Sequence, residues 1–234
     1  MKLAWLIIPT LALTAAACGG SDKADTVDNP PPATATPTTA PTNSGPAATP
    51  TDSPIDPGVL AKAVLELSDM PSGFAVSAPG DSSDDDDFCG IAASIKEPKN
   101  RVDATFEMST FGPFIIQRID LQNSRGDAGS VLDGIRDSFK KCGATWTDTA
   151  TPPTTWNISA LNFPKVGDDT FAVRISTNNV AFFGTAQVDY VYFRRGPAVS
   201  GVAYVAVGPA AAGVSPLEDV VKKADAKIAK AGIR

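Results

Sequence analysis

Residues 184–207 read GTAQVDYVYFRRGPAVSGVAYVAV. Two runs rich in β-branched and aromatic residues flank Arg194-Arg195-Gly196-Pro197, which is turn chemistry, so the stretch predicts a hairpin. Its strands span Gly184–Phe193 and Val199–Val207. A period of two places Val188, Tyr190 and Tyr192 on one face of the first strand. The same period places Val199, Ala203, Val205 and Val207 on one face of the second. The opposite face carries Val202 and Tyr204, so apolar side chains point to both sides of the hairpin.

Other strands follow upstream. Phe171, Val173 and Ile175 alternate, and Trp156–Leu161 reads as another strand. Val102, Ala104, Phe106 and Met108 share one face of a further strand. Phe111-Gly112-Pro113 then turns the chain into the apolar run Phe114–Leu121. Three helices flank or interrupt these strands. Asp56-Pro57 opens the first, whose Leu60, Val64 and Leu67 recur at helical spacing. A second fits Asp127–Lys141, with Val131, Leu132, Ile135 and Phe139 as its apolar stripe and Cys142 on the same face. Ser215-Pro216-Leu217-Glu218 reads as a capping box for the third. Its stripe is Leu217, Val221, Ala224 and Ile228, and its lysines suit the polar face and the C-terminal end of the helix dipole. The expected class is α+β: an antiparallel β-sheet of about five to six strands, two to three helices packed on one face, and one disulfide.

The region before this domain is different in kind. Residues 1–17 carry a basic start at Lys2, an apolar middle and small residues before Cys18, the pattern of a secretory signal. Leu3–Ala17 is too short to span a bilayer, which takes about 20 residues. Cys18 at the break reads as a lipobox cysteine, acylated to become the new N-terminus. Ala15 stands where such motifs usually carry Leu, and an ordinary signal peptide is the alternative. Residues 18–55 are rich in Pro, Thr, Ala and Ser and bury almost nothing. They read as a stalk that reaches at most roughly 100 Å as polyproline II, either bare or O-glycosylated.

Three cysteines occur in the chain. With Cys18 assigned to lipid, Cys89 and Cys142 remain, and an even remainder in an exported domain reads as a disulfide. It would close a loop of about 53 residues, worth perhaps ~4 kcal/mol. Two buried thiols are the alternative, because a metal site lacks a nearby second cysteine or any histidine.

Charge and composition exclude several functions. The whole chain is −6, and removing Lys2, Asp22, Lys23, Asp25, Asp28 and Asp52 leaves −4 on residues 56–234. A mildly acidic domain without basic clusters argues against nucleic acid. With no histidine, a Ser-His-Asp triad, a Cys-His pair and a His-ligated zinc are excluded. Ser138 and Lys141 have the Ser-x-x-Lys spacing, but on a helix whose lysines should face solvent. Asp81 and Asp84–Asp87 form a dense acidic run that lacks Ca²⁺-loop spacing and reads as a solvated loop. Asn157-Ile158-Ser159 is a formal glycosylation sequon. No catalytic residue, metal ligand or cofactor site is expected.

Several motifs together resemble a known group. They are Leu67-Ser68-Asp69-Met70-Pro71-Ser72-Gly73-Phe74, Val166-Gly167-Asp168-Asp169 and Val191-Tyr192-Phe193-Arg194-Arg195-Gly196, with Cys89 before the first strand and Cys142 closing the middle helix. In order and spacing this is similar to actinobacterial exported sensor-like domains, the family of the extracellular domain of the mycobacterial receptor kinase PknH. That family also occurs as stand-alone lipoproteins. The resemblance covers about Leu60–Ile228. It implies an antiparallel sheet with packed helices around a cleft for a small ligand. Family members of the PknH type carry two disulfides, whereas only one pair is available here. No ligand-binding residue carries over on these motifs.

The expected function is therefore a non-catalytic, sensor-like or ligand-binding domain. It would sit on the extracytoplasmic face of the cell membrane, anchored through Cys18, with a small-molecule or envelope ligand. A structural or assembly factor that binds an envelope protein is the alternative. Tyr190, Tyr192, Tyr204, Phe182 and Phe183 are candidate aromatic cleft residues, and Arg194 is a candidate for an anionic group. Hairpin-turn chemistry in water is the competing reading for Arg194-Arg195.

Overall fold

The computed structural model describes residues 57–77, 97–148, 153–180, 184–213 and 215–234. The signal-like segment, Cys18, the stalk, Asp81–Asp87, Cys89, Phe182 and Phe183 lie outside the described residues. In chain order the elements are α1 (Pro57–Ala63), a 3₁₀ turn (Leu67–Asp69), β1 (Ala75–Val76), β2 (Asn100–Glu107), β3 (Phe114–Leu121) and α2 (Arg125–Cys142). They continue with β4 (Thr145–Thr147), β5 (Thr155–Ala160), β6 (Asp169–Val180), β7 (Gly184–Arg195), β8 (Ala198–Val207), a second 3₁₀ turn (Gly208–Ala212) and α3 (Leu217–Lys230).

Among the described residues the strands form one eight-stranded sheet in the order β1-β2-β3-β8-β7-β6-β5-β4. Every neighbouring pair is antiparallel. Two meanders, β1–β3 and β4–β8, are joined by α2, and they meet where β8 pairs with β3.

Helices cover both faces of this sheet. On one face α1 and α3 bury Leu60, Leu217, Val221 and Ile228 against Ile115, Ile119, Val191, Phe193 and Val202. On the other, α2 buries Val131, Ile135 and Phe139 against Val173, Ile175 and Val199. The expected arrangement, with helices on one face only, is thereby corrected. The reason lies in β7. Val191 and Phe193 alternate with Val188, Tyr190 and Tyr192, so each face of the strand needs its own cover. Strand number is corrected as well, from five or six to eight. β1 and β4, of two and three residues, are too short to display a period.

No disulfide is seen within the described residues, because Cys89 lies outside them. Cys142 ends α2 with its sulfur bonded rather than as a free thiol. The expected capping box at Ser215 is also not made. Ser215 accepts from the Leu217 N–H at 3.2 Å, Pro216 takes the cap position, and Glu218 instead pairs with Lys222 at 2.6 Å. The helix starts one residue later than the motif implies.

Polar links tie the helices to the sheet. Arg195 forks onto the Asp225 carboxylate of α3 at 2.6 and 2.7 Å. Asp69, in the turn after α1, accepts from the Glu66 N–H at 2.8 Å and from Lys227 Nζ at 2.8 Å, while its carbonyl accepts from Lys223 Nζ at 2.6 Å. Burial alone would raise the Asp69 pKa. The Lys227 hydrogen bond, the Glu66 N–H and the two lysine charges outweigh it, so the value falls below the ordinary one. The fully buried Gln117 accepts from the Leu65 N–H at 2.7 Å and so pins the chain after α1 to the sheet. Gln122, equally enclosed, has neither side-chain polar atom hydrogen-bonded.

Two outcomes follow. A depressed carboxylate contributes stability above its unfolded value near 3.8, and that contribution is lost as pH falls through the lower folded value. Asp69→Asn should therefore flatten the decline in urea stability as pH falls from about 5 to below the ordinary value of 3.8. Gln122→Met removes a buried amide that lacks partners and should raise unfolding free energy by about 1–2 kcal/mol, read from the urea midpoint.

Candidate functional site

The antiparallel register sets residues of β6, β7, β8, β3 and β2 side by side on the α2 face. One row runs Phe171, Tyr192, Gly201, Arg118, Asp103. The next runs Val173, Tyr190, Ala203, Ile116, Thr105. α2 lies over the β6–β7 end of these rows. There Phe139 packs on Phe171 with ring centroids 5.5 Å apart, and the Arg136 guanidinium lies 5.8 Å above the Phe171 ring. Toward β3 the rows emerge from cover, and Ile116 is 38% exposed.

Tyr190 and Tyr192 stand where cover gives way. They are two residues apart on one strand face, and their rings stack at 5.7 Å with an interplanar angle of 13°. Gly201 makes room for this arrangement. A Cβ there would lie 3.1 and 3.2 Å from carbons of the Tyr192 ring, tight enough that the ring would have to give by a few tenths of an ångström. Beyond it Arg118 hydrogen-bonds Asp103 at 3.0 Å. Burial, with Tyr190 adding to it, raises the Tyr192 phenol far above its usual value despite the nearby Arg118 charge. The hydroxyl therefore stays neutral and acts only through hydrogen bonds. The result is an apolar strip with an aromatic wall at one end and the Arg118–Asp103 ion pair at the other. It can hold an apolar body and meet a polar or anionic end, and it offers no proton-transfer pair.

The other candidates lie elsewhere. Tyr204 is on the opposite face, buried under the α1/α3 layer, and burial followed by the Asp189 charge raises its phenol. Asp189, only 1% exposed, is held there by a bidentate Arg174 at 2.7 and 2.8 Å. Arg194 sits at the end of β7, where its Nη1 donates to Asp168 at 3.1 Å. The tyrosines of the expected cleft are thus divided between faces, and Arg194 and Arg195 each pair with a carboxylate, Asp168 and Asp225. Both arginines are partly buried and ion-paired. Ser138 is buried and donates to the Gly134 carbonyl at 3.0 Å, while Lys141 is exposed, so the pair does not form a dyad.

The motif residues are engaged in the fold itself. Gly167, at φ 60°, would place a Cβ 2.4 Å from the Arg194 carbonyl oxygen. Asp168 accepts from the Gly196 N–H at 2.8 Å. The Gly167-Asp168 and Arg194–Gly196 motifs are therefore two halves of one interlock. In the third motif Met70 and Phe74 enter the core and Asp69 holds α3.

No family model and no curated protein matches this chain. A solved structure that is similar is the extracellular domain of PknH from Mycobacterium tuberculosis. The TM-score is 0.53 at 13% identity, over 79% of this chain and 100% of that one. The fold resembles that of this extracellular domain, and at this identity the likeness concerns the fold alone. Among the described residues no helix is long and apolar enough to cross a membrane.

Arg118, Ile116 and Gly201 escaped the sequence reading. Each is unremarkable in its own strand, and only the β3–β8–β7 register brings them to the tyrosines. Gly201→Val should push the Tyr192 ring off β8. The expected cost is about 1–3 kcal/mol in urea unfolding, as for other overpacked sites.

Proposed function

We propose that this chain is a non-catalytic, sensor-like binding protein displayed outside the cytoplasm on a lipid anchor at Cys18. Its ligand is a small amphipathic molecule of the envelope, with an apolar body and a polar or anionic end. The observation that carries this reading is the half-covered strip from Tyr190 and Tyr192 across Gly201 to Ile116 and Arg118. Small-molecule sites are mostly apolar with a few placed polar groups, and the strip has that composition. A fold like that of an extracellular domain supports the location. The missing histidines support binding over catalysis. The signal-like start and Cys18 support the anchor.

Native mass spectrometry against a panel of envelope lipids and glycans tests the ligand. A bound mass is expected, and it should be lost in Ile116→Arg and weakened at least about tenfold in Arg118→Ala. Bare protein across the whole panel would overturn the reading. Palmitate labelling tests the anchor separately: label should disappear in Cys18→Ala, and a Cys18→Ala chain that stays on the membrane refutes it.

A further inference from the structure

Among the described residues, four of the five exposed large hydrophobic side chains lie at the β1–β2 edge of the sheet and in the turn beside it. Leu67 (46% exposed) follows α1, Val76 (65%) lies in β1, Met108 (47%) and Phe111 (60%) lie in the β2–β3 turn, and Ile116 (38%) lies on β3. Val76 pairs with Phe106, two residues before Met108, and a Cβ on Gly73 would lie 3.6 Å from the Met108 methyl carbon. Val76 and Met108 are therefore neighbours, and Leu67 lines the same hollow as Val76, whereas Ile116 faces the other side of the sheet. Such collected apolar exposure marks an interaction surface, whereas single exposed hydrophobics do not.

Three observations fix what kind of surface it meets. From Met108 to Ile116 the chain reads MSTFGPFII, without one charged residue. A turn at a hairpin tip is otherwise the ordinary place for charge, and charge is what a bilayer penalises most. The turn also satisfies part of its own backbone. Met108 N–H donates to the Pro113 carbonyl at 3.0 Å, Gly112 N–H to the Ser109 carbonyl at 2.9 Å, and Ser109 Oγ to the Gly112 carbonyl at 2.6 Å. Phe111 N–H donates to Ser109 Oγ at 3.3 Å, and Pro113 has no N–H to satisfy. Backbone that leaves water for lipid needs internal partners, and these bonds supply them for the Met108, Phe111 and Gly112 N–H groups. Gly112 closes it at φ 86°, where a Cβ would meet the Phe114 ring at 2.9 Å.

We infer that the β2–β3 tip, led by Phe111 and Met108, dips into the interface of a lipid bilayer. The inference rests on the anchored location proposed above, which keeps the domain within about 100 Å of a membrane. Residues 56–234 are acidic, so the contact is apolar and does not depend on anionic lipid.

The test uses the chain from residue 18 onward carrying Cys18→Ser, so that no acyl chain contributes. Phe111→Trp places an indole at an exposed position, and its emission is read as the difference from the parent chain. With phosphatidylcholine vesicles in excess, brominated acyl chains should quench most of that emission. The quenching should be equal at about 0.1 and 0.5 M salt and unchanged by added phosphatidylglycerol. Phe111→Asp should lower vesicle binding at least about tenfold, with an unchanged far-ultraviolet dichroism spectrum. An introduced indole equally bright in brominated and unbrominated vesicles places the tip in water or on a protein partner and overturns the inference. Failure of palmitate labelling would remove the anchor but leave the vesicle result standing, so the two readings fail separately.

Discussion

β7 cannot be covered from one side. Val191 and Phe193 are fully buried beneath α1 and α3, while Val188, Tyr190 and Tyr192 point to the layer made by α2. Each fully buried side chain of this size is worth about 1.5–3 kcal/mol, so loss of either layer would remove a large share of a domain's net stability. The rest of the architecture answers this demand. α2 leaves the end of β3 and crosses one face before the second meander returns as β8. α3 follows β8 and closes the other face. Arg195 on β7 and Asp225 on α3 then lock that closure with a bidentate pair.

Much of this was legible where side-chain period carries the information. The apolar stripe of α2 was read from four residues, and all four are buried. The hairpin at 184–207 was read from alternation around Arg-Arg-Gly-Pro, and its strands pair as expected. What period cannot express was lost. A two-residue strand has no alternation, so β1 was invisible. Two-sided burial was present in Val202 and Tyr204 but was outweighed by the expectation of a sheet with one dry face. Tyr204 illustrates the result. By parity it belongs with Val202 on the α1/α3 side, away from Tyr190 and Tyr192, although in the chain it looks like their companion. The Ser215 motif failed for another reason. Pro216 fits the cap position itself, which shifts the helix start by one residue and leaves Glu218 free to pair one turn ahead with Lys222.

The motifs that carry the family resemblance prove to be joints. Asp168 holds the Gly196 N–H and the Arg194 side chain, and Gly167 lies against the Arg194 carbonyl. Gly196 lies in turn against the backbone of Arg234, where a Cβ would come within 2.2 Å. Glycine and aspartate are required there by close approach and unsatisfied N–H groups, whatever ligand the domain takes. Such residues can persist while the rest of the sequence diverges, which fits a shared fold at 13% identity. It also explains why the motifs locate no ligand. The residues of the strip lie on strand interiors between these joints, where the fold constrains size and polarity but not identity.

The strip and the proposed lipid-seeking tip share β3. Phe114 and Ile116 stand on the α2 face directly after the uncharged turn, in register with Val205 and Ala203. An amphipathic molecule drawn from a bilayer at the tip would thus meet apolar side chains first and Arg118 two residues further along the same strand face. Polarity rises along β3 in that direction: Phe114, Ile116, Arg118, then the buried Asp120 bonded to Arg101 at 2.7 Å. Under the proposed reading, such a gradient would orient a ligand with its apolar end toward the turn and its polar end toward the far end of β3. A flat protein partner would have no use for such a gradient, because protein contacts place their apolar anchors centrally and their charges at the rim. The ordering of residues along one strand is therefore the strongest argument for a lipid-like ligand over a docked protein.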